Sequence, residues 1–284
     1  MKYPPISRSV FGVTHRPIFR SLHTPSSITP PLSLHSPSTL IRQHGNPSSE
    51  HSLAKPDDFL FWPDFFAFEE CKTLVDMALW KLDRVDSSLK RRRRGKQSLK
   101  ETQEQDDIQK LFDREYGFEE GHYDSVIHHY RETLLSTLPP NPSSHLITTL
   151  SKLYGLLPDL PNSELKSISI PPEGTITHLL HLSPKGEILP HVDNLEASGK
   201  YICGVSLGGE RIMRLREKGK KEDGWDVRLN SGSVYLQRDS IRYNYEHSIL
   251  PYSSEGTVWN GEDLNQGHRI SIMIRDIPTK PAQL

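Results

Sequence analysis

The chain is short of cysteine, of long apolar runs and of net charge, and each shortage removes a class of protein. Cys71 and Cys203 are the only cysteines in 284 residues, too few for a disulfide framework or a cysteine-built zinc centre, and suited to a reducing compartment. No apolar stretch approaches the ~20 residues that a bilayer-spanning helix needs, so no membrane span is expected. Lys and Arg number 35 against 36 Asp and Glu, a formal charge of -1, which gives no bulk attraction to nucleic acid or to an anionic surface.

Acidic residues are missing from one region altogether. Between Met1 and Ser49 there is none, while Lys2, Arg8, Arg16, Arg20 and Arg42 lie scattered among Ser, Thr and Pro. That composition is the one of a mitochondrial transit peptide. The expectation is an unstructured head over residues 1–50, a mitochondrial matrix location, and one folded domain over residues 51–284. A Pro- and Ser-rich tail without any targeting role would show the same bias.

The body of the chain carries both helical and strand patterns. Phe59–Trp62 reads as a short apolar strand, and Phe68–Trp80 as a helix, with Leu74, Met77, Ala78 and Lys81 at i, i+3, i+4 and i+7 and with Glu69 and Glu70 at its favourable end. The basic run Lys90–Lys96 and the acids after it read as a solvated loop, with contact to an RNA backbone the weaker reading. A second helix is expected between Tyr123 and Leu135, and a third over Leu146–Leu156. From about residue 165 to 278 short β segments follow at Ser167–Ile170, Thr175–Leu182, Ile202–Leu207, Ile212–Leu215, Trp225–Leu229, Val234–Gln237, Ile241–His247 and Ile270–Ile274. Eight short strands separated by Gly and Pro turns predict an α+β fold, a double-stranded β-helix (jelly roll) buttressed by the N-terminal helices.

Chemistry concentrates late in the chain. His191-Val192-Asp193 followed by His247 has the ligand types of a two-His-one-carboxylate facial triad, which holds Fe(II) by one octahedral face and leaves three positions open. In the closing strand, Arg269, Ser271, Met273 and Arg275 share one face while Ile270, Ile272 and Ile274 share the other. Two guanidiniums on one face call for an anion, and a carboxylate matches the guanidinium fork. The same parity puts Tyr243, Tyr245 and His247 on one face. His268 competes with His247 as the distal ligand, but it precedes Arg269 directly and so faces away from it.

With these residues in view, the chain resembles the Fe(II)- and 2-oxoglutarate-dependent dioxygenases of the AlkB type. Their closing strand carries Arg-x-Asn/Ser-x-x-x-Arg, matched by Arg269, Ser271 and Arg275. The likeness is strongest to the mitochondrial branch, the seventh AlkB homologue. It takes in Glu119–Thr133, Pro190–Asp193, Val205–Leu207, Ile212–Leu215 and Gly232–Arg238, running on to Arg242, Tyr243 and His247, and covers roughly residues 57–278.

The resemblance implies that His191, Asp193 and His247 hold iron and that Arg269 pairs with the distal carboxylate of 2-oxoglutarate. It places Arg275 on the substrate side or beside that clamp. An Asn-x-Tyr pair that holds 2-oxoglutarate in the repair enzymes is replaced by Leu180 and Leu182, and Tyr235 is the residue that would take over, unless it is a packed core aromatic. The implied reaction consumes 2-oxoglutarate and O2, oxidises a substrate C–H bond and releases succinate and CO2. Methylated mitochondrial RNA and protein are both implied as substrates. No aromatic, basic lid for base flipping is visible before the core. A non-catalytic jelly-roll module that binds a metal or ligand is the alternative, and Leu180 and Leu182 are the feature in its favour.

Overall fold

A computed structural model of the chain describes residues 29–45, 54–85, 107–121, 125–158, 170–220, 222–253 and 256–278. Its strands are β1 (Leu32–Ser33), β2 (Ile41–His44), β3 (Phe59–Trp62), β4 (Glu119–Gly121), β5 (Ile127–Leu134), β6 (Thr175–His191), β7 (Tyr201–Gly208), β8 (Arg211–Glu217), β9 (Gly224–Leu229), β10 (Ser233–Arg238), β11 (Tyr245–Ile249), β12 (Val258–Trp259), β13 (Glu262–Asp263) and β14 (Arg269–Asp276). The helices are α1 (Phe68–Val85), α2 (Ser144–Tyr154) and the short α3 (Asp239–Asn244). The main sheet runs β1-β3-β10-β7-β14-β6-β11-β8-β9-β2, with β5 added on β6.

The long strand β6 turns that sheet into two walls. Its first half, Thr175–Leu182, pairs antiparallel with β14, and its second half pairs with β11 through Ile188 and His191. One wall is therefore β3-β10-β7-β14-β6 and the other β6-β11-β8-β9, which is the jelly roll expected.

Strand alternation sorts the core into layers. Ile270, Ile272 and Ile274 lie opposite Leu207, Val205 and Cys203, and all six face outward against Leu74, Met77 and Ala78 of α1 and Leu146, Leu150 and Leu153 of α2. Burying each such isoleucine contributes roughly 1.5–3 kcal/mol, and Ser143 caps α2 by accepting from the Leu146 amide at 3.1 Å. The space between the walls is filled by Phe59, Phe61, Leu180, Leu182, Met213, Leu215, Trp225 and Tyr245.

Four expectations need correction. The head does not extend to residue 50: β1 pairs with β3 and β2 with β9, so sheet structure reaches back to Leu32, and residues 1–28 lie outside the described residues. The helix expected over Tyr123–Leu135 is strand β5, because Tyr130 packs between the walls while Arg131 faces α1, an alternation that pairing with β6 imposes over local propensity. Ile241–His247 is not one strand. Asp239–Asn244 forms α3, held at its start by the Asp58 carboxylate, which accepts from the Ser240 amide and hydroxyl. Tyr245 and His247 stay on one strand, but Tyr243 leaves it and is exposed. Most of Ser167–Ile170 and the Lys90–Lys96 run lie outside the described residues.

A largely buried polar chain ties α1 to β5, to the shared strand β6 and to the residue just before β14. Arg131 donates from Nη1 to Asp83 at 2.9 Å and from Nε to His181 Nδ1 at 2.9 Å. Arginine accepts nothing, so His181 carries its proton on Nε2 and gives it to His268 Nδ1, 3.1 Å away. Burial, then the charge of Arg131, pushes both imidazoles below their ordinary range. Unfolded histidine takes up a proton near pH 6.5 while this pair resists it, so stability is full above that pH and falls as pH drops below it. Urea melts at pH 7.5 and 5.0 should show this loss, and His181→Gln should remove part of it. A pH dependence identical in the two proteins would contradict the neutral pair.

Candidate active site

The far end of β6 and the turn after it carry His191 and Asp193, and β11 brings His247 directly opposite His191. The two imidazole centroids are 4.3 Å apart, and one ligand atom from each of the three residues lies within 4.8 Å of the others. His191 Nδ1 sits 2.9 Å from the Leu189 carbonyl. A carbonyl only accepts, so Nδ1 holds the hydrogen and Nε2 is left to face a metal.

Asp193 is where charge converges. Its Oδ1 lies 3.5 Å from His191 Nε2 and accepts from Arg275 Nη2 at 3.1 Å. Burial works to raise its pKa, but the close approach of His191 and the positive charge of Arg275 outweigh it and hold the carboxyl well below the usual carboxylate range. Burial, then the neighbouring His191, pushes His247 down to about 3, so its imidazole is neutral and able to ligate. Asp193 Oδ2 is buried with no hydrogen-bond partner among the described residues. An ionised, half-satisfied carboxylate between two imidazoles fits a divalent cation.

Arg242, which the sequence resemblance includes without a role, fastens this corner. From α3 it donates through Nη1 to the Asp193 carbonyl at 3.2 Å and through Nη2 to Ser198 Oγ at 2.6 Å. The turn bearing Asp193 is thereby tied to the segment that leads into His247. Arg242→Ala is expected to weaken Mn(II) binding about 10–100-fold, the usual cost of losing an outer-shell partner, with Arg242→Lys recovering part of it. A metal titration with unchanged affinity would contradict this role.

Arg269 occupies the closed end of the space between the walls. It is 1 % exposed, its Nε donates to Ser206 Oγ at 2.9 Å, and its Nη2 is buried without a partner among the described residues. Ser206 thus aims the guanidinium and leaves part of its fork open. Tyr235 lies across Gly204 of β7, where any Cβ would overlap the phenol ring, and stacks on Phe59 with centroids 6.2 Å apart. The charge of Arg269 reaches it. Leu180 and Leu182 are fully buried and form an apolar side wall.

Arg275 stands apart from Arg269. Their Cα atoms lie six residues, about 20 Å, apart along the strand, and both side chains reach inward, Arg275 to Asp193 and Arg269 to Ser206, so that the charge of each is felt at Tyr235. His178, on the inner face of β6 two positions from Leu180, also faces the Arg275 end. Burial and the charge of Arg275 push its pKa down to about 4, which leaves a neutral imidazole beside the ligand set. Its parity with Leu180 and Leu182 was the available signal.

A family model described as the 2OG-Fe(II) oxygenase superfamily matches residues 95–275, a span that holds all three candidate ligands and both arginines. The chain belongs to that superfamily. Among proteins similar to it are the mitochondrial alpha-ketoglutarate-dependent dioxygenase alkB homolog 7 of Mus musculus, 32% identical over 161 residues, and that of Bos taurus, 31% identical over 161 residues. The match covers 57% of this chain and 66% of each relative, just under two thirds of their length. Among solved structures, OsALKBH1 aligns with a TM-score of 0.43 at 11% identity, over 77% of this chain and 98% of that one. Iron(II) and 2-oxoglutarate, for which the superfamily is named, fit the donors present: two imidazoles, a carboxylate with a free oxygen, and a buried guanidinium with a free N–H.

Proposed function

We propose that the protein is an Fe(II)- and 2-oxoglutarate-dependent dioxygenase of the AlkB type that oxidises a C–H bond of a macromolecular substrate in the mitochondrial matrix. The observation that carries this reading is the pairing of two unsatisfied groups at opposite ends of one interior: Asp193 Oδ2 between His191 and His247, and Arg269 Nη2 at the closed end. The apolar wall of Leu180 and Leu182 supports the alternative of a non-catalytic binding module, but a module needs no buried guanidinium left half-paired.

His191, Asp193 and His247 would hold iron(II), and Arg269 would take the distal carboxylate of 2-oxoglutarate. Bound together with O2, these supply an oxidant for a C–H bond, with succinate and CO2 as co-products. Arg275 holds the Asp193 carboxylate in its ionised state and fixes its orientation. Ser206 orients Arg269, and Tyr235, whose hydroxyl burial keeps protonated, closes the side of the pocket beside it. Leu180 and Leu182 exclude water from the interior, which strengthens the charge pairing at Arg269.

For the substrate, the reading takes in methylated mitochondrial RNA and protein, and the rim favours protein. Leu195, two residues past Asp193, is 52% exposed and Ile277, two past Arg275, is 47% exposed. Apolar side chains beside the ligand set suit a polypeptide, whereas an RNA backbone is held by cations. The full-length protein with Fe(II), ascorbate and 2-oxoglutarate should form succinate, and mass spectrometry of mitochondria from a deletion strain should show a lost protein hydroxylation with RNA methylation unchanged. No succinate would sink the enzyme, and a rise in methylated RNA would replace the protein substrate.

A further inference from the structure

A second arginine lies buried at the closed end, and among the described residues no carboxylate pairs with it. Arg211 opens β8 at the corner where Gly208, Gly209 and Glu210 carry the chain from one wall to the other. Alternation turns it inward with Met213 and Leu215, and it is 0% exposed. Its Nη2 donates to the Ser183 carbonyl at 2.8 Å and its Nη1 to that of Gly186 at 3.3 Å, both in the bend of β6 just past Leu182, the residue paired with Arg269. Its guanidinium lies 3.6 Å from the centroid of Tyr252. Tyr252 is itself fixed, donating to the Glu210 carbonyl at 2.6 Å and accepting from the Gly267 amide at 3.3 Å.

The two cations are neighbours in an interior that does not neutralise them. Burial lowers Arg211 to about 10, with the phenol of Tyr252 opposing and the charge of Arg269 adding to the drop. Burial also lowers Arg269, and Tyr235 and Tyr252 work against that fall. The hydrogen bonds of the two guanidiniums go to backbone carbonyls and to one serine hydroxyl. Arg211 Nε and Arg269 Nη2 are buried without a hydrogen-bond partner among the described residues. Neutral acceptors of this kind leave the charge uncompensated, and a buried uncompensated charge is what an anionic ligand relieves.

We propose that Arg211 is a second cation of the co-substrate pocket, which with Arg269 makes a two-guanidinium floor that selects an oxo-acid whose far end is a full carboxylate. This rests on the reading of Arg269 under the proposed function. Arg269, with its fork aimed by Ser206, makes the directed contact, and Arg211, fixed by the β6 bend and by Tyr252, supplies charge from the corner. A ligand ending in a carboxamide keeps the shape and loses the attraction to both.

Glutarate tests this without metal, since it has both carboxylates and no keto group to chelate with. In EDTA, the full-length protein should be stabilised against heat by glutarate and not by glutaramide, which carries a carboxamide at both ends. Arg269→Gln should lose that response, a fall in affinity of about a hundredfold or more, and Arg211→Gln should weaken it about tenfold, with Arg211→Lys closer to wild type. Wild-type affinity in Arg211→Gln alone would make Arg211 a purely structural brace and overturn the inference. Wild-type affinity in both Gln variants would instead overturn the reading of Arg269. Where Arg211→Gln does not fold, Nε-labelled wild-type protein replaces it: glutarate should shift the Arg211 Nε–H resonance, assigned by its loss in Arg211→Lys, and an unmoved resonance overturns the inference.

Discussion

Asp193→Ala is expected to bring 2-oxoglutarate turnover to background and to cost more in metal affinity than the 10–100-fold of an outer-shell change. His191→Ala should abolish turnover as well, yet the two variants should differ in stability. With His191 gone, Asp193 still accepts from Arg275. With Asp193 gone, Arg275 keeps its charge in a mostly buried place and loses its partner, a change of about 1–3 kcal/mol once the partial exposure of Arg275 is allowed for. Urea denaturation of the metal-free variants checks this. Equal stabilities would show that the ion pair contributes nothing to the fold, and retained turnover in either would remove the facial triad.

Arg269→Gln should raise the KM for 2-oxoglutarate about a hundredfold or more while leaving Mn(II) affinity near wild type. The separation follows from geometry: the Arg269 guanidinium is held by Ser206 on β7 and, among the described residues, makes no hydrogen bond to His191, Asp193 or His247. The same substitution should leave the metal-free protein as stable as wild type or more so, because it removes a buried charge whose hydrogen-bond partner among the described residues is a neutral hydroxyl, that of Ser206. A KM unchanged by Arg269→Gln, or metal binding that falls with it, would move the co-substrate clamp elsewhere.

The closing strand could be read from its residues because alternation alone sorts Arg269 and Arg275 from three isoleucines, and β14 keeps that sorting against α1 and α2. His191 and Asp193 were readable for a similar reason, as a local pair. Strand β5 was not, since Ile127–Leu134 has no clear period of its own and takes its form from pairing with β6 and from Arg131 reaching Asp83. Helix α3 was missed because its start depends on Asp58, far away in sequence. The roles of Arg211 and Arg242 were hidden for the same cause. Their partners are carbonyls and hydroxyls brought close by the bend in β6 and the turn after Asp193, and a sequence without contacts does not show which arginine is buried.

The most direct test of the iron and co-substrate site is optical. Under anaerobic conditions, 2-oxoglutarate added to the Fe(II)-loaded protein should produce a visible charge-transfer absorption, because chelation by the keto-acid end puts a π-acceptor on iron held by His191, Asp193 and His247. The band should be absent in Asp193→Ala and should need much higher 2-oxoglutarate in Arg269→Gln. Iron bound by the wild-type protein with no band at saturating 2-oxoglutarate would contradict the account.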